Sequence, residues 1–443
     1  MEITLPKNVR KILARLEENG YEAYAVGGCV RDSLMGRIPS DWDITTSALP
    51  DEVKALFKKT IDTGIQHGTV TILLDGEGYE VTTYRVDGEY EDSRHPKEVT
   101  FTPKLSEDLM RRDFTINAMA YNETAGLVDL FGGISDMEQK IIRCVGDPME
   151  RFSEDALRIL RAVRFAAQLG FSIDERTKEA VTALAPNLAH ISAERIQVEL
   201  LKLAVSPNPG ELRTAFETGI TKVILPEFDE AMGMEQNTPH HLYSVGEHMV
   251  TAMEKIRDDK VLRLTMMLHD IGKPLVHSRD EEGRDHFYGH GDVSAELAKD
   301  ILRRLKFDND TIQKVTTLIR FHDYRPDLNE RAVRRMLNKV GRELFPYVME
   351  VQTADVLAQS EYKQQEKLEQ IRKTREIAEE IFGKNQCFCL KDLAVTGRDL
   401  IADGMKPGKE LGRVLDELLK EVIREPEHNE KEFLLEYSRT FRE

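Results

Sequence analysis

The stretch Val26–Thr46 reads VGGCVRDSLMGRIPSDWDITT, and its two ends decide the fold. Ahead of it Tyr21–Val26 has strand character and runs into Gly27-Gly28, after which Val30, Arg31 and Asp32 open a helix. A glycine turn that opens a helix offers backbone N–H groups to a phosphate, and the Arg31 fork adds donors. At the other end stand Asp41 and Asp43, two positions apart, which on a strand project from the same face. Carboxylates held together repel unless a divalent cation lies between them. A phosphate cradle joined to a metal-carboxylate pair spells metal-assisted nucleotidyl transfer. A Gly-Gly turn or an Asp-x-Asp alone carries little; the weight lies in their spacing, with Arg31 between.

GGCVRDSLMG followed by DWDITT resembles the signature of class II tRNA nucleotidyltransferases and bacterial poly(A) polymerases, within the polymerase-β-like superfamily. It is most similar to the CCA-adding branch. The resemblance implies an α+β multidomain chain in four parts. These are a nucleotidyltransferase head with a mixed sheet (residues 1–147), an all-α neck (148–228), an HD domain (229–360) and a helical body and tail contacting tRNA (361–443). It also implies Mg²⁺ on Asp41 and Asp43, with Gly27, Gly28, Arg31 and Asp32 at the nucleotide.

The bulk properties agree. A chain of 443 residues exceeds one ordinary domain, and 40% hydrophobic residues suffice for real cores. No apolar run reaches the roughly 18 residues of a membrane span, and MEITLPKNVRK lacks the apolar core of a secretion signal. Cys29, Cys144, Cys387 and Cys389 are too scattered for a disulfide scaffold, so a reducing cytoplasm is expected. The net charge of −17 argues against a general nucleic-acid coat, while a local basic stripe still serves a polyanion.

Past the signature, residues 7–19 having formed a helix before it, Thr69–Leu74 and Tyr79–Val86 alternate as strands around the hairpin pair Asp75-Gly76. Glu80 on the second strand is either a third acid that activates the attacking hydroxyl, as the resemblance implies, or an exposed edge residue. Asp87–Phe101 is polar and reads as a loop, which in the family lets one site switch from C to A addition. RRDFTINAMAY (residues 111–121) resembles the second family motif. Its chemistry stands on its own: Arg112 can clamp a triphosphate, Asp113 can hold an arginine, and Asn117 can donate to a ribose hydroxyl. The plainer reading is a capped helix with a solvated basic pair.

ERFSEDALRILRAVRFAAQLGF follows, read as a helix capped by Ser153 with Glu154 and Asp155 in its first turn. Arg158, Arg161 and Arg164 recur every third residue, more than one Asp155–Arg158 surface pair needs. The segment resembles the EDxxR motif that selects the incoming base without a template. An Asp accepts from the exocyclic amine of cytosine or adenine, Arg158 donates to ring acceptors, and Arg161 and Arg164 meet triphosphate or stack. Uracil and guanine present a carbonyl to the Asp and are refused, at about 1–3 kcal/mol per unpaired group. ERIQVELLKL resembles a further family segment expected to brace the neck, with no catalytic role for Glu194 or Arg195.

From Asn237 onward histidines concentrate. His248, His269-Asp270 and Asp355 match the H…HD…D order of HD-superfamily metal phosphohydrolases, with His290 and His322 where two-metal members place further ligands. Such a donor set suits Mn, Fe, Ni, Mg or Zn. Lys273 is expected near a bound phosphate, and His240, His241, His277 and His286 read as surface or capping residues. Tyr362–Ile381 reads as a solvated connecting helix with a thin apolar line at Leu368, Ile371 and Ile377. Gly404, Pro407, Gly408 and Gly412 with Lys406, Lys409 and Arg413 make a turn suited to an RNA phosphate.

Together these imply CCA addition to tRNA 3′ ends from CTP and ATP, using Mg²⁺, with a second metal site for 3′-end repair. A-only addition and poly(A) synthesis share nearly every motif. A metal phosphohydrolase with an RNA-binding head, or an RNA-binding regulator, is a rival of another class, opposed by intact Asp41, Asp43, Arg112 and Asp155.

Overall fold

A computed structural model describes residues 2–87, 99–240 and 242–441. The chain divides into two compact units, Met1–Pro226 and Glu227–Glu443.

In the first unit, seven strands form a mixed sheet: β1 (Ala23–Val26), β2 (Ile44–Thr46), β3 (Thr60–Gly64), β4 (Thr69–Leu74), β5 (Glu77–Thr83), β8 (Met119–Asn122) and β9 (Gly126–Asp129). Their order is β3-β4-β5-β2-β1-β8-β9, with β2 and β5 parallel and the other pairs antiparallel. The helix Lys7–Glu18 buries Val9, Ile12, Leu13 and Leu16, the i, i+3, i+4, i+7 stripe of an amphipathic helix. That stripe closes over Ala23, Ala25, Ile44, Val70, Ile72, Val81, Met119 and Tyr121 of the sheet. Asp75 and Gly76, both at positive φ, turn β4 into β5 as the hairpin signal required.

The expected loop from Asp87 to Phe101 is partly strand: β6 (Arg85–Asp87) pairs with β7 (Val99–Phe101). The remainder of that expected switching loop, residues 88–98, lies outside the described residues. Within the first unit Ile141–Ile142, in the expected head, pairs with Ser172–Ile173, in the expected neck. Three arginines cement the same region around the buried ring of Phe165, with Arg31, Arg161 and Arg164 at 5.2, 5.2 and 3.5 Å from its centroid.

Among its described residues the second unit is helical apart from one short hairpin, Ser278–Arg279 with Asp285–His286. The helices that matter for its chemistry are Val245–Glu254, Lys260–Leu268, His290–Arg304, Asn309–Phe321 and Phe345–Leu357. Side chains of Ser244, Asp259 and Asp308 cap three of them. The tail is welded to this bundle by the buried Arg334, which donates to the Ile423 carbonyl at 3.0 Å and to Gln386 at 2.8 Å. The helix expected to be a solvated connector runs Gln364–Gly383 and is packed instead. It buries Ile371, Thr374, Ala378 and Ile381, so the apolar line is shifted and completed by small residues. No helix among the described residues is long and apolar enough to cross a membrane.

Candidate active site and candidate metal centre

Gly27 sits at φ 81°, a conformation that opens the helix Gly28–Leu34 directly off the end of β1. A Cβ there would stand 3.0 Å from Nη1 of Arg112, so the bare backbone of the turn lies under that guanidinium. Arg112 Nη2 reaches Asp108 only at 3.5 Å, and its Nε is buried without a hydrogen-bond partner. Asp41 and Asp43 are not on a strand, since β2 begins at Ile44. They are held beside the turn nonetheless, because the Asp43 carbonyl accepts the Val26 N–H at 3.0 Å. On β5, Glu80 comes alongside through the parallel register Ile44↔Val81. Although Asp43 reaches solvent, partial desolvation raises its carboxyl above the usual range, and the Asp41 and Glu80 carboxylates add to this while Arg112 opposes it. Three acids and one arginine therefore share one electrostatic field above the glycine turn.

Arg31 is buried and already engaged, bonded to Asp32 at 2.9 Å and to Asn117 Oδ1 at 2.6 Å. Asn117 in turn donates to Asp113 at 3.1 Å. Asp113 holds an arginine as expected, Arg161, at 2.8 and 2.6 Å. Burial works against the Asp113 charge, but Arg161 and Asn117 outweigh it and keep the carboxyl well below its ordinary range.

The base-selecting segment departs from the expected single helix. Ser153 is no cap; it lies in the last turn of the helix Pro148–Glu154, whose cap is Asp147, and its hydroxyl donates to the Met149 carbonyl. Asp155 breaks the chain between that helix and Leu157–Leu169, accepting the Leu157 N–H at 3.1 Å. Its ion pair is with Arg195, at 2.7 and 3.2 Å, whereas Arg158 pairs with Glu154 and donates to the carbonyls of Arg151 and Arg111. Arg161 and Arg164 are not presented to a triphosphate either. Arg161 is taken by Asp113, and the buried Arg164 by Glu199 at 2.7 Å. Arg195 and Glu199 thus belong to the site's framework, and their spacing of four on the helix Ala193–Ala204 was the available signal.

In the second unit five helices bring all six expected metal ligands together. Each imidazole turns Nδ1 toward a backbone carbonyl: His248 to Ala358 at 3.4 Å, His269 to Met266 at 2.9 Å, His290 to Phe287 at 2.9 Å and His322 to Ile319 at 2.6 Å. That assigns the proton to Nδ1 and points four Nε2 lone pairs inward. The Nε2 atoms of His248 and His269 are 3.1 Å apart, as are those of His290 and His322. Asp270 lies between the pairs: Oδ1 is 3.4 Å from both His290 and His322, and Oδ2 is 3.5 and 3.4 Å from His248 and His269. Asp355 adds an oxygen 2.9 Å from His248.

Facing lone pairs at such distances repel, and Asp270 Oδ1 is buried without a hydrogen bond, so the donor set fits cations. Among the described residues, both triplets of such converging ligands, His248-His269-Asp270 and Asp270-His290-His322, lie here. Lys273 is spent on Asp270 at 2.7 Å and Gln236 at 3.0 Å. His277 and His286 hold Asp285 and Asp280 as structural partners, His240 touches Lys367, and His241 lies outside the described residues.

A mixed-sheet head with a glycine turn facing two aspartates is that of a nucleotidyltransferase. The poly(A) polymerase head-domain family model matches residues 23–143, a model of the RNA- and SrmB-binding site of polymerase A matches 170–232, and one of tRNA nucleotidyltransferase domain 2 matches 287–438. The chain is 39% identical to the CCA-adding enzyme of Levilactobacillus brevis, over 96% of each chain. It is 36% identical to that of Pediococcus pentosaceus, over 97% of this chain and 96% of the other. The crystal structure of the Bacillus stearothermophilus CCA-adding enzyme in complex with CTP superposes with a TM-score of 0.69 at 30% identity, covering 99% of both chains. The chain belongs to the CCA-adding enzyme family.

Proposed function

We propose that the first unit adds C, C and A in turn to the 3′ end of tRNA from CTP and ATP without a nucleic-acid template. The observation that carries this is the Asp41, Asp43, Glu80 and Arg112 field above the Gly27-Gly28 turn, in a chain aligned with CCA-adding enzymes along its length. Asp41 and Asp43 would hold Mg²⁺, a fit supported by the partial desolvation and then the neighbouring carboxylates that raise Asp43. Bound there, Mg²⁺ lowers the pKa of the attacking 3′-hydroxyl and neutralises charge on the phosphoryl group.

The chain's own residues do the rest. Glu80 takes the hydroxyl proton. The N–H groups of the glycine turn and the unpartnered Nε of Arg112 donate to the triphosphate. Asn117 keeps one amide proton for a ribose hydroxyl after its bond to Asp113, while Asp32 and Arg31 fix its position. Asp155, oriented by Arg195, retains a lone pair on Oδ2 for the amine of cytosine or adenine. Arg158 reaches the base by exchanging one of its carbonyl partners. Arg161 and Arg164 act as braces through Asp113 and Glu199. The Gly404–Gly408 turn with Lys406 and Lys409 meets tRNA phosphate, while Gly412 lies inside the helix Lys409–Arg424 and Arg413 is paired with Glu410. This work belongs in the cytoplasm, where the four unpaired cysteines stay reduced.

The second unit supports a further activity, metal-dependent hydrolysis of phosphate esters, for which the HD domain of residues 229–360 is our assignment. Its support is the inward set of four Nε2 atoms around Asp270, with Asp355 beside them; Mn, Ni, Fe or Zn suits such donors.

One experiment tests the main reading. Purified protein with Mg²⁺ is given tRNA transcripts ending before CCA, after C and after CC, with CTP and ATP singly and together. Stepwise extension of the shortest transcript that stops at CCA is expected. Extension of the CC-ended transcript alone makes the enzyme A-adding, and an adenosine ladder makes it a poly(A) polymerase.

A further inference from the structure

Four of the six proposed ligands, Asp270, His290, His322 and Asp355, line a cavity of about 800 Å³ whose wall also carries His240, Tyr288, Arg320, Gln359, Tyr362 and Lys367. Its cations are not equivalent. Lys273 is buried and paired with Asp270; Arg320 is paired with Asp292 and Glu296; Arg284 is exposed at the rim. Lys367 differs from all of them. It comes from the helix Gln364–Gly383, beyond the ligand-bearing helices, and is half-buried on the cavity wall. Among the described residues its ammonium donates to Gln359 Oε1 at 2.5 Å and to His240 Nδ1 at 3.1 Å, both neutral, and has no carboxylate within ion-pair distance. Gln359 in turn donates to Oδ2 of the ligand Asp355 at 3.0 Å. One side-chain amide therefore ties this ammonium to the metal-ligand cluster. His240 is held edge-on against Tyr362, 4.9 Å between ring centroids, which fixes the other side of the clamp. A cation partly withdrawn from water, held by neutral acceptors and facing a cavity, is an anion receptor.

Resting on the metal-hydrolase reading of this site, we infer that Lys367 orients the phosphoryl group of the substrate and selects phosphomonoesters over phosphodiesters. A phosphomonoester has three terminal oxygens. Cations at the six ligands would neutralise part of its charge, and a terminal oxygen turned to the wall needs a donor there, which Lys367 supplies. A diester has an esterified oxygen in that place, with no charge to pair with the ammonium. In the hydrolysis, a water oxygen bonds to phosphorus as the P–O bond to the alcohol breaks. The bond pair leaves on the alcohol oxygen, which gains one proton while the attacking water loses one. Lys367 neither gives nor takes that proton; it is a positioning residue whose charge follows the phosphoryl oxygen.

The test uses the full chain loaded with Mn²⁺, p-nitrophenyl phosphate as monoester and bis(p-nitrophenyl) phosphate as diester. Lys367→Met is expected to lower kcat/KM for the monoester about 10- to 100-fold, the scale of a charge-assisted hydrogen bond, and for the diester less than about threefold. Inorganic phosphate binding, followed by calorimetry, is expected to weaken about tenfold or more in the same variant. Lys367→Arg should restore most of both, and an unchanged melting temperature separates the effect from misfolding. If Lys367→Met slows both esters equally, or neither, while phosphate binding is unchanged, the role of Lys367 is overturned and the hydrolase reading stands. A wild-type protein that takes up Mn²⁺ and cleaves neither ester overturns the hydrolase reading itself, and this inference with it.

Discussion

Asp41, Asp43 and Glu80 of the head all reach solvent, whereas His248, His269, Asp270, His322 and Asp355 of the second unit are at most 3% exposed. Both sites gather charge or lone pairs that repel, and water makes the difference between them. The head carboxylates are only partly desolvated and still reach solvent, which would suit a cation that arrives and leaves with each nucleotide. In the histidine cluster the paired Nε2 atoms face one another at 3.1 Å with their protons assigned to Nδ1, an arrangement that a resident cation would relieve. On the proposed reading, an exchangeable metal site in the first unit thus stands against a fixed one in the second.

The sharpest way to break this contrast is to disable each site separately. Asp43→Ala is expected to lower nucleotide addition by roughly 10²–10³-fold, as removing one preorganised electrostatic element does. It should leave phosphomonoester hydrolysis unaltered. Asp270→Asn, chosen to keep the buried volume, should do the reverse. Loss of both activities from either substitution would show that the two sites are not independent.

A smaller effect separates resident from exchangeable metal. Mn²⁺ or Ni²⁺ at about 100 times Kd is expected to stabilise the folded protein by about 2.7 kcal/mol. Hydrogen exchange should assign that gain to the helices between Val245 and Leu357. Mg²⁺ without nucleotide should leave the head's exchange rates alone. Equal protection of both regions by Mg²⁺ would erase the distinction drawn from burial.

These sites were unequally legible in the sequence, and the reason is range. The Gly-Gly turn, the paired aspartates and the ordered histidines carry their chemistry in residue type and local spacing, so the residues that cluster in each unit could be named before any fold was known. What escaped was the partner of each charge. Arg195 reaches Asp155 across forty positions, and Arg158 turns to Glu154 instead, because the helix breaks at Asp155. Nothing in the periodicity of ERFSEDALRILRAV announces that break; Asp147 caps the first helix and Asp155 serves the second, and both caps look alike as letters. The Gln364–Gly383 helix misled in the same way. Its buried face includes Thr374 and Ala378, so the apolar line looked too thin to pack.

The smallest expected effect bears on whether Glu80 belongs to the exchangeable site at all. Desolvation, then Asp41, then Glu80 raise the Asp43 carboxyl, and Arg112 pulls it down. A carboxyl so raised takes up its proton at a higher pH than an ordinary aspartate, so its grip on Mg²⁺ begins to fail sooner on acidification. In the metal-free protein the same repulsion costs stability above the unfolded value near about pH 4 and is relieved as the pH falls through the raised one. Glu80→Gln removes one of the like charges with little change of shape. The acid limb of Mg²⁺-dependent CTP binding, followed between about pH 4 and 7, should therefore move to lower pH by less than about one unit. Arg112→Met should move it the other way. A limb that Glu80→Gln leaves in place would return Glu80 to the role of an exposed strand residue, and the head site would then rest on two carboxylates rather than three.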